Sequence, residues 1–271
     1  MSSILTNTSA MVALQTMKSI NKGLGQVQGE ISTGLKVATA KDNSSSWAIA
    51  STMSSDVTSY KKLSESLTSS SAMIGVARAA AEQMVDILKG VQEKVLQSKE
   101  PGADTAKLQA DVDEMTATMQ SIAGSAQFNG INLVNNTDTQ NVVVSLTRAS
   151  AGSVGLEVFA VAGRDLATDA AADVTLTGDE TTADLDAVET QLQAAIDAAA
   201  ALGSAQTRIE AQDGFLQKQM DSITVGMGAL VDADMEEASA RLQALQVQQQ
   251  LGIQALSIAN QAPQSILSLF R

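Results

Sequence analysis

The chain of 271 residues contains no cysteine and no histidine, and each absence removes a class of chemistry. Without Cys there is no thiol nucleophile, disulfide or Cys/His zinc site, and without His there is no imidazole acid–base catalysis. The missing Cys does not assign a redox compartment; it means only that the fold needs no covalent staple. Aromatic residues make up 2 % of the chain: Trp47, Tyr60 and four Phe. Carboxylates alone can hydrolyse a bond when two of them flank it. Here nothing places such a pair in an aromatic-lined cleft, so no catalytic or cofactor-binding residue is assigned and an enzyme is not expected. Positive charge is scarce as well. The net charge is −13, no Lys/Arg cluster stands out, and such a surface repels phosphate backbones and anionic bilayers. Neither a nucleic acid nor a membrane is expected as a partner. No run of about eighteen apolar residues suggests a span, and the first twenty residues lack a basic stretch followed by an apolar one. If the protein leaves the cell, it is expected to leave by a dedicated route, without a cleaved signal peptide.

What is present is helical periodicity. Apolar residues are 44 % of the chain and are mostly Ala, Leu, Ile, Val and Met, which suit helices packed along their lengths. At the front, Ala10, Ala13, Met17, Ile20, Leu24, Val27 and Ile31 follow at 3-4 spacing, the seam of a coiled coil. At the back, Val231, Met235, Ala238, Leu242 and Leu245 do the same, and the pattern continues through Ile253 and Leu256. Neither seam has an evident local cover, so both are expected to fray in a monomer and to order against other copies. Met17, Ile20, Leu24, Val27, Ile31, Leu242, Leu245, Ile253 and Leu256 are the expected self-assembly seam.

Between the seams lie three further helical runs. Gly34 and Lys41–Ser46 read as a loop, with Ser or Asp available to cap the next helix. Tyr60, Leu63, Leu67, Ser70, Ile74, Ala77, Ala81, Met84, Leu88, Val91 and Val95 keep the spacing until Pro101-Gly102 stops it. Asp104 caps a shorter run with Leu108, Val112, Met115, Met119, Ile122 and Ala126 on one face, returning antiparallel. Phe128-Asn129-Gly130 is a turn signal. Val142–Leu146 and Leu156–Val161 read as a β-hairpin, and 165–182 as a surface loop. A third run spans Leu185, Val188, Leu192, Ala195, Ala199, Leu202, Gln206, Ile209, Asp213, Leu216, Met220 and Ile223, before Gly226-Met227-Gly228 loosens the chain. The three central helices bury one another, and the polar segment 149–179 should be removable without loss of assembly.

Three motifs carry less than they suggest. Gly29–Lys36 resembles a phosphate loop, but Leu35 separates Gly34 from Lys36 and the context is helical. Asp232-Ala233-Asp234 with Glu236 and Glu237 lacks the sharp-turn Gly of a calcium loop, and acids at a helix start serve as caps and dipole partners. No metal site is assigned. Asn7-Thr8-Ser9, Asn43-Ser44-Ser45 and Asn135-Asn136-Thr137 match a glycosylation sequon too short to weigh much.

Taken in order, several short pieces resemble bacterial flagellin. They are Ile4, Thr6-Asn7 and Ala10; Ile31-Ser32-Thr33-Gly34-Leu35; Ala40-Lys41-Asp42; Ala48-Ile49-Ala50; Phe128-Asn129-Gly130; Ala205-Gln206, Arg208 and Glu210; Asp232-Ala233-Asp234; Ala259-Asn260-Gln261, Pro263-Gln264 and Ile266–Phe270. The resemblance covers both termini and most of the helical body. It implies a mainly α subunit, a long antiparallel helical bundle with a small β-hairpin insertion, polymerising into a filament for swimming motility. The domains implied are 1–44 and 229–271 as the paired inner-tube (D0) helices, 45–136 and 183–228 as the D1 helices, and 137–182 as a short variable region in place of large outer domains. Implied partners are further copies of the chain, the flagellar type III export apparatus, a chaperone holding the C-terminal segment, and junction and cap proteins. The implied location is the extracellular filament. The innate immune receptor for flagellins engages a Leu-Gln-Arg-Val-Arg-Glu-Leu element in this family. Here Leu88-Lys89-Gly90-Val91-Gln92-Glu93-Lys94 aligns with it, so Gly90 and Gln92 stand where two Arg would be. Other departures are Asn43 and Ser44–Trp47 in place of a second Asp and a Gly, and Ala229-Leu230-Val231 in place of Ser-Arg-Ile. A hook–filament junction protein, or from another class a secreted coiled-coil adaptor or effector, are the rival readings. Phe128-Asn129-Gly130 and the intact Asn260-Gln261-Ala262-Pro263-Gln264 favour the filament.

Overall fold

A computed structural model describes residues 7–148, 154–167, 174–176 and 183–269, with side chains to Gln261. Five long helices dominate: α1 (Thr8–Thr33), α2 (Ser44–Ser98), α3 (Thr105–Ser125), α4 (Ala183–Val231) and α5 (Met235–Leu269). Among the described residues, four strands form two hairpins, β1–β2 (Gln127–Phe128, Ile131–Asn132) and β3–β4 (Thr139–Arg148, Val154–Ala162). The described chain falls into two compact units, one of residues 58–220 and one of residues 1–57 with 221–271. The division cuts α2 after Val57, near its start, and α4 after Met220, near its end.

In the unit of residues 58–220, α2, α3 and α4 bury the stripes that their spacing sets. Ten of the eleven periodic positions of α2 from Tyr60 to Val95 are buried, and only Ser70 is half-buried. Leu67, Ile74, Met84, Val91 and Val95 reach zero or near-zero exposure. Pro101-Gly102, with Gly102 at φ 90°, turns the chain into α3. Asp104 caps that helix by accepting from the Lys107 N–H at 3.3 Å. The helices run antiparallel: Lys94 pairs with Asp111 of α3 at 2.8 Å, while Lys99, just past α2, and Arg78 of α2 meet Asp184 and Gln206 of α4. Both polar members of the α4 stripe are partnered. Gln206 accepts from Arg78 Nε, and Asp213 accepts from the Ser64 hydroxyl.

The Phe128-Asn129-Gly130 signal is the corner of β1–β2. Asn129 (φ 51°) and Gly130 (φ 82°) are both left-handed, as a two-residue type I′ hairpin requires. Asn132 fastens this corner: its Nδ2 donates to the Ala123 carbonyl at 2.6 Å, and its Oδ1 accepts from the Val134 and Asn135 N–H groups. The β3–β4 hairpin forms as expected, with a bulge between Val143 and Ser145.

The expectation that 165–182 is surface loop is corrected for its described part. Leu166, Val174 and Leu176 are buried, and the last two join Val91, Val95, Leu108, Val112 and Val188 in one cluster. Gln109 holds this strip, donating Nε2 to the Val174 carbonyl at 3.0 Å and accepting the Leu176 N–H at 2.7 Å. Residues 168–173 and 177–182 lie outside the described residues.

A second correction concerns Gly226-Met227-Gly228. The helix does not loosen there; α4 continues to Val231. Helix propensity loses about 1 kcal/mol at each Gly, but the tertiary setting outweighs it. Met227 packs on the Val37, Ala50 and Val231 cluster, and the Asp232 N–H bonds to the Gly228 carbonyl at 2.8 Å.

Candidate assembly surface

The terminal seams meet in the unit of residues 1–57 and 221–271. Asn7 caps α1 by accepting from the Ala10 N–H, and its amide donates to the Ala259 carbonyl at 2.7 Å. Farther along, Gln249 donates to Asn21 Oδ1 at 2.8 Å. These pairs fix an antiparallel α1–α5 hairpin, closed most tightly where small residues allow. A Cβ on Gly23 would touch Leu245 at 3.6 Å, and one on Gly252 would reach Ile20 at 3.8 Å. Ile20 and Val27 are buried, and Met17, Leu24, Ile31, Leu242, Leu245 and Leu256 are half-buried. The expectation of seams without local cover is therefore corrected: within one chain, each seam covers the other. Ile253 stands apart at 56 % exposure.

The hairpin's inner end is clasped by the two linkers. Gly34 ends α1 in the left-handed region (φ 73°) with its N–H on the Glu30 carbonyl. Lys36 and Val37 then donate to the Val231 carbonyl, Ala233 donates to the Gly34 carbonyl, and Val37, Ala50 and Val231 close over one another. The cap of α2 is neither Ser nor Asp but Asn43, whose Oδ1 accepts from Ser45 and Ser46, both at 3.1 Å. Asp42 ties the preceding turn through the Thr39 N–H and hydroxyl, bonds that hold its carboxyl below the usual range. Asp234 acts as the cap of α5, accepting from the Glu236 and Glu237 N–H groups.

Pairing leaves apolar surface over. On α5 the covered face carries Leu242, Leu245, Gly252, Leu256 and Ala259. Val247, Leu251 and Ile258 repeat at i, i+4 and i+11 on the other side, 55, 57 and 70 % exposed. Helix α1 adds Met11, Val12 and Leu14, all exposed. Sequence reading missed this second row because Gln and Ser interrupt it, whereas the seam reads as an unbroken heptad. Its signal was the apolar residues left unassigned once the seam was counted. In the other unit, Gly90 of α2 faces Met115 of α3, and Gln92 donates to Glu189 of α4 at 2.8 Å.

Two self-satisfied helical units, one of them a pair of terminal helices with an apolar side uncovered, define a self-assembling helical subunit. The family is given by comparison. A model described as the bacterial flagellin N-terminal helical region matches residues 4–139, and one described as the bacterial flagellin C-terminal helical region matches residues 185–270. Flagellin of Brucella melitensis is 40 % identical over all of this chain and all of its own length. Flagellin FljM of Caulobacter vibrioides is 38 % identical over all of this chain and 99 % of its own. Flagellin C of Rhizobium meliloti is 35 % identical, again over both full lengths. The chain belongs to the bacterial flagellin family. It is a structural subunit of the extracellular flagellar filament that drives swimming, and not an enzyme.

Proposed function

We propose that the subunit joins its neighbours through the side of the α1–α5 hairpin that it leaves uncovered. The seam from Met17 to Leu256 serves to hold the two terminal helices as one strut. The supporting observation is the row Val247, Leu251 and Ile258, more than half exposed on the side of α5 turned away from α1. Each such side chain contributes roughly 1.5–3 kcal/mol when buried, before ordering costs are subtracted. A contact of this kind, made head-to-tail between different patches, gives an open helical polymer. The test is Val247→Ser with Leu251→Ser and Ile258→Ser. Monomer helicity by circular dichroism should stay near that of the parent, while seeded elongation should fail. Normal filaments from the triple variant would overturn the reading.

Family membership also supports export through the flagellar type III apparatus, with a chaperone on the C-terminal segment and junction and cap proteins at the filament ends. The degenerate element at Gly90 and Gln92 supports weak engagement of the innate immune receptor. An Arg makes planar, multi-donor contacts that neither Gly nor Gln reproduces, and losing such an anchor costs about 2 kcal/mol or more. A reporter-cell dose response equal to that of a flagellin with both Arg would refute this.

A further inference from the structure

A cleft lies inside the unit of residues 58–220, apart from the terminal hairpin and its uncovered row. Strand β4 lies over one face of α4, where the helix presents Ala198, Ala201, Leu202 and Ala205 at i, i+3, i+4 and i+7. All but Leu202 end in a single methyl group, so strand and helix do not close on each other. A cleft of about 500 Å³ remains between them, a size that takes a small organic molecule. Phe159 and Val161 of β4 form its other wall.

The rim is held in place by backbone bonds. The Gly163 N–H donates to the Asp138 carbonyl at 3.0 Å, and the N–H groups of Arg164 and Leu166 donate to the Leu133 and Val134 carbonyls, both at 2.8 Å. Only Gly permits this approach at 163, since a Cβ there would stand 2.6 Å from the Asn136 carbonyl oxygen. Phe159 is fixed from α4, whose Arg208 guanidinium lies 4.1 Å from the ring centroid. A cleft pinned in this way is preformed, and little ordering opposes a ligand that enters it.

Charge decides what the cleft takes. The chain carries −13 overall, and Arg78 and Arg241 each pair with a glutamate one helical turn away. Arg164 lines the cleft and is exposed. Among the described residues neither Arg164 nor Arg208 makes an ion pair. Acids on the adjoining segments do not supply one: Asp197 accepts from Gln193, and Asp138 and Glu157 stand in no ion pair among the described residues. Two guanidiniums without carboxylates, beside an apolar cleft, complement a molecule with an apolar body and an anionic head. The planar Arg fork matches a carboxylate.

We propose that this cleft binds a small amphiphilic carboxylate, its apolar body over Ala198, Ala201 and Ala205 and its carboxylate on Arg164. Arg208 adds a second positive charge at the Phe159 wall. The site lies within one chain and makes no use of the α5 row.

Decanoate is the probe, titrated by calorimetry into the full-length chain before seeding. Saturable binding at a single site is expected, with decanol and decyltrimethylammonium at least ~10-fold weaker. Arg164→Gln with Arg208→Gln should weaken decanoate at least ~10-fold, and so should Ala201→Phe, which sets a ring in the cleft. All three positions are exposed, and parental circular dichroism and melting should confirm that both variants fold. The variant with Val247→Ser, Leu251→Ser and Ile258→Ser should bind decanoate as the parent does, which separates this site from the assembly surface. Phosphatidylglycerol vesicles should not sediment the chain. The proposal is overturned by a lack of saturable binding, by parental affinity in either folded cleft variant, by decanol binding equally well, or by loss of binding in the α5 variant. Sedimentation with the vesicles would make a lipid headgroup the anion and would overturn the soluble carboxylate. Seeded elongation of the α5 variant is read separately, so failure of either reading leaves the other standing.

Discussion

Single polar side chains terminate and orient the helices here. Asn43 caps the start of α2, accepting from the Ser45 and Ser46 N–H groups. Asn43→Ala removes the acceptor for two N–H groups and should cost ~1 kcal/mol, read as a lowered denaturant midpoint. Asp104 caps α3 with a charge. Its carboxyl is held below the ordinary value of 3.8, first by a hydrogen bond from the Lys107 side chain and then by the Lys107 N–H. A depressed folded pKa stabilises the fold above the unfolded value, and that contribution disappears as pH falls through the folded one. Stability should therefore decline on acidification below 3.8, and Asp104→Asn should flatten that part of the profile measured by urea unfolding. The parent's acid limb reproduced by the variant would show that Asp104 contributes nothing to it.

Elements differ in how far local pattern fixes them. The long stripes of α2 and α4 form as their spacing dictates, since burying an unbroken 3-4 row outweighs a mid-helix Gly. The 165–182 stretch behaves otherwise. It looks like loop because Asp, Thr and Gly dominate it, and single apolar residues give no period. Yet Val174 and Leu176 enter the core under the hold of Gln109. Removing 149–179 thus excises β4, Leu166 and this strip, and should destabilise the bundle instead of being tolerated. Leu176→Ala should cost about 2–4 kcal/mol, in the range for a buried Leu, and Gln109→Ala about 1–3 kcal/mol from two stranded backbone groups. A parental midpoint for Leu176→Ala and Gln109→Ala would show that the strip adds nothing.

At the scale of the molecule, the two units have different duties. The unit of residues 58–220 buries its own stripes, so truncation from Ala259 should leave most of the helicity by circular dichroism. The same truncation removes the Ala259 carbonyl that receives Asn7, and with it the last turns of α5. Seeded assembly should be abolished. Normal filaments from the truncated chain would mean that the end of α5 is dispensable.

Periodic apolar rows and turn-forming dipeptides were enough to determine long helices packed along their lengths and the β3–β4 hairpin. Those features act locally or through a repeating phase, so no knowledge of neighbours is needed to read them. Tertiary structure alone decided which surfaces stay open. The seam that looks uncovered in sequence is covered by its own partner 252 residues away, as Asn7 and Ala259 show. The row at Val247, Leu251 and Ile258 is left exposed. A helix's pattern states which faces can be buried, but which of two apolar faces is spent inside the chain depends on what long-range closure brings against it.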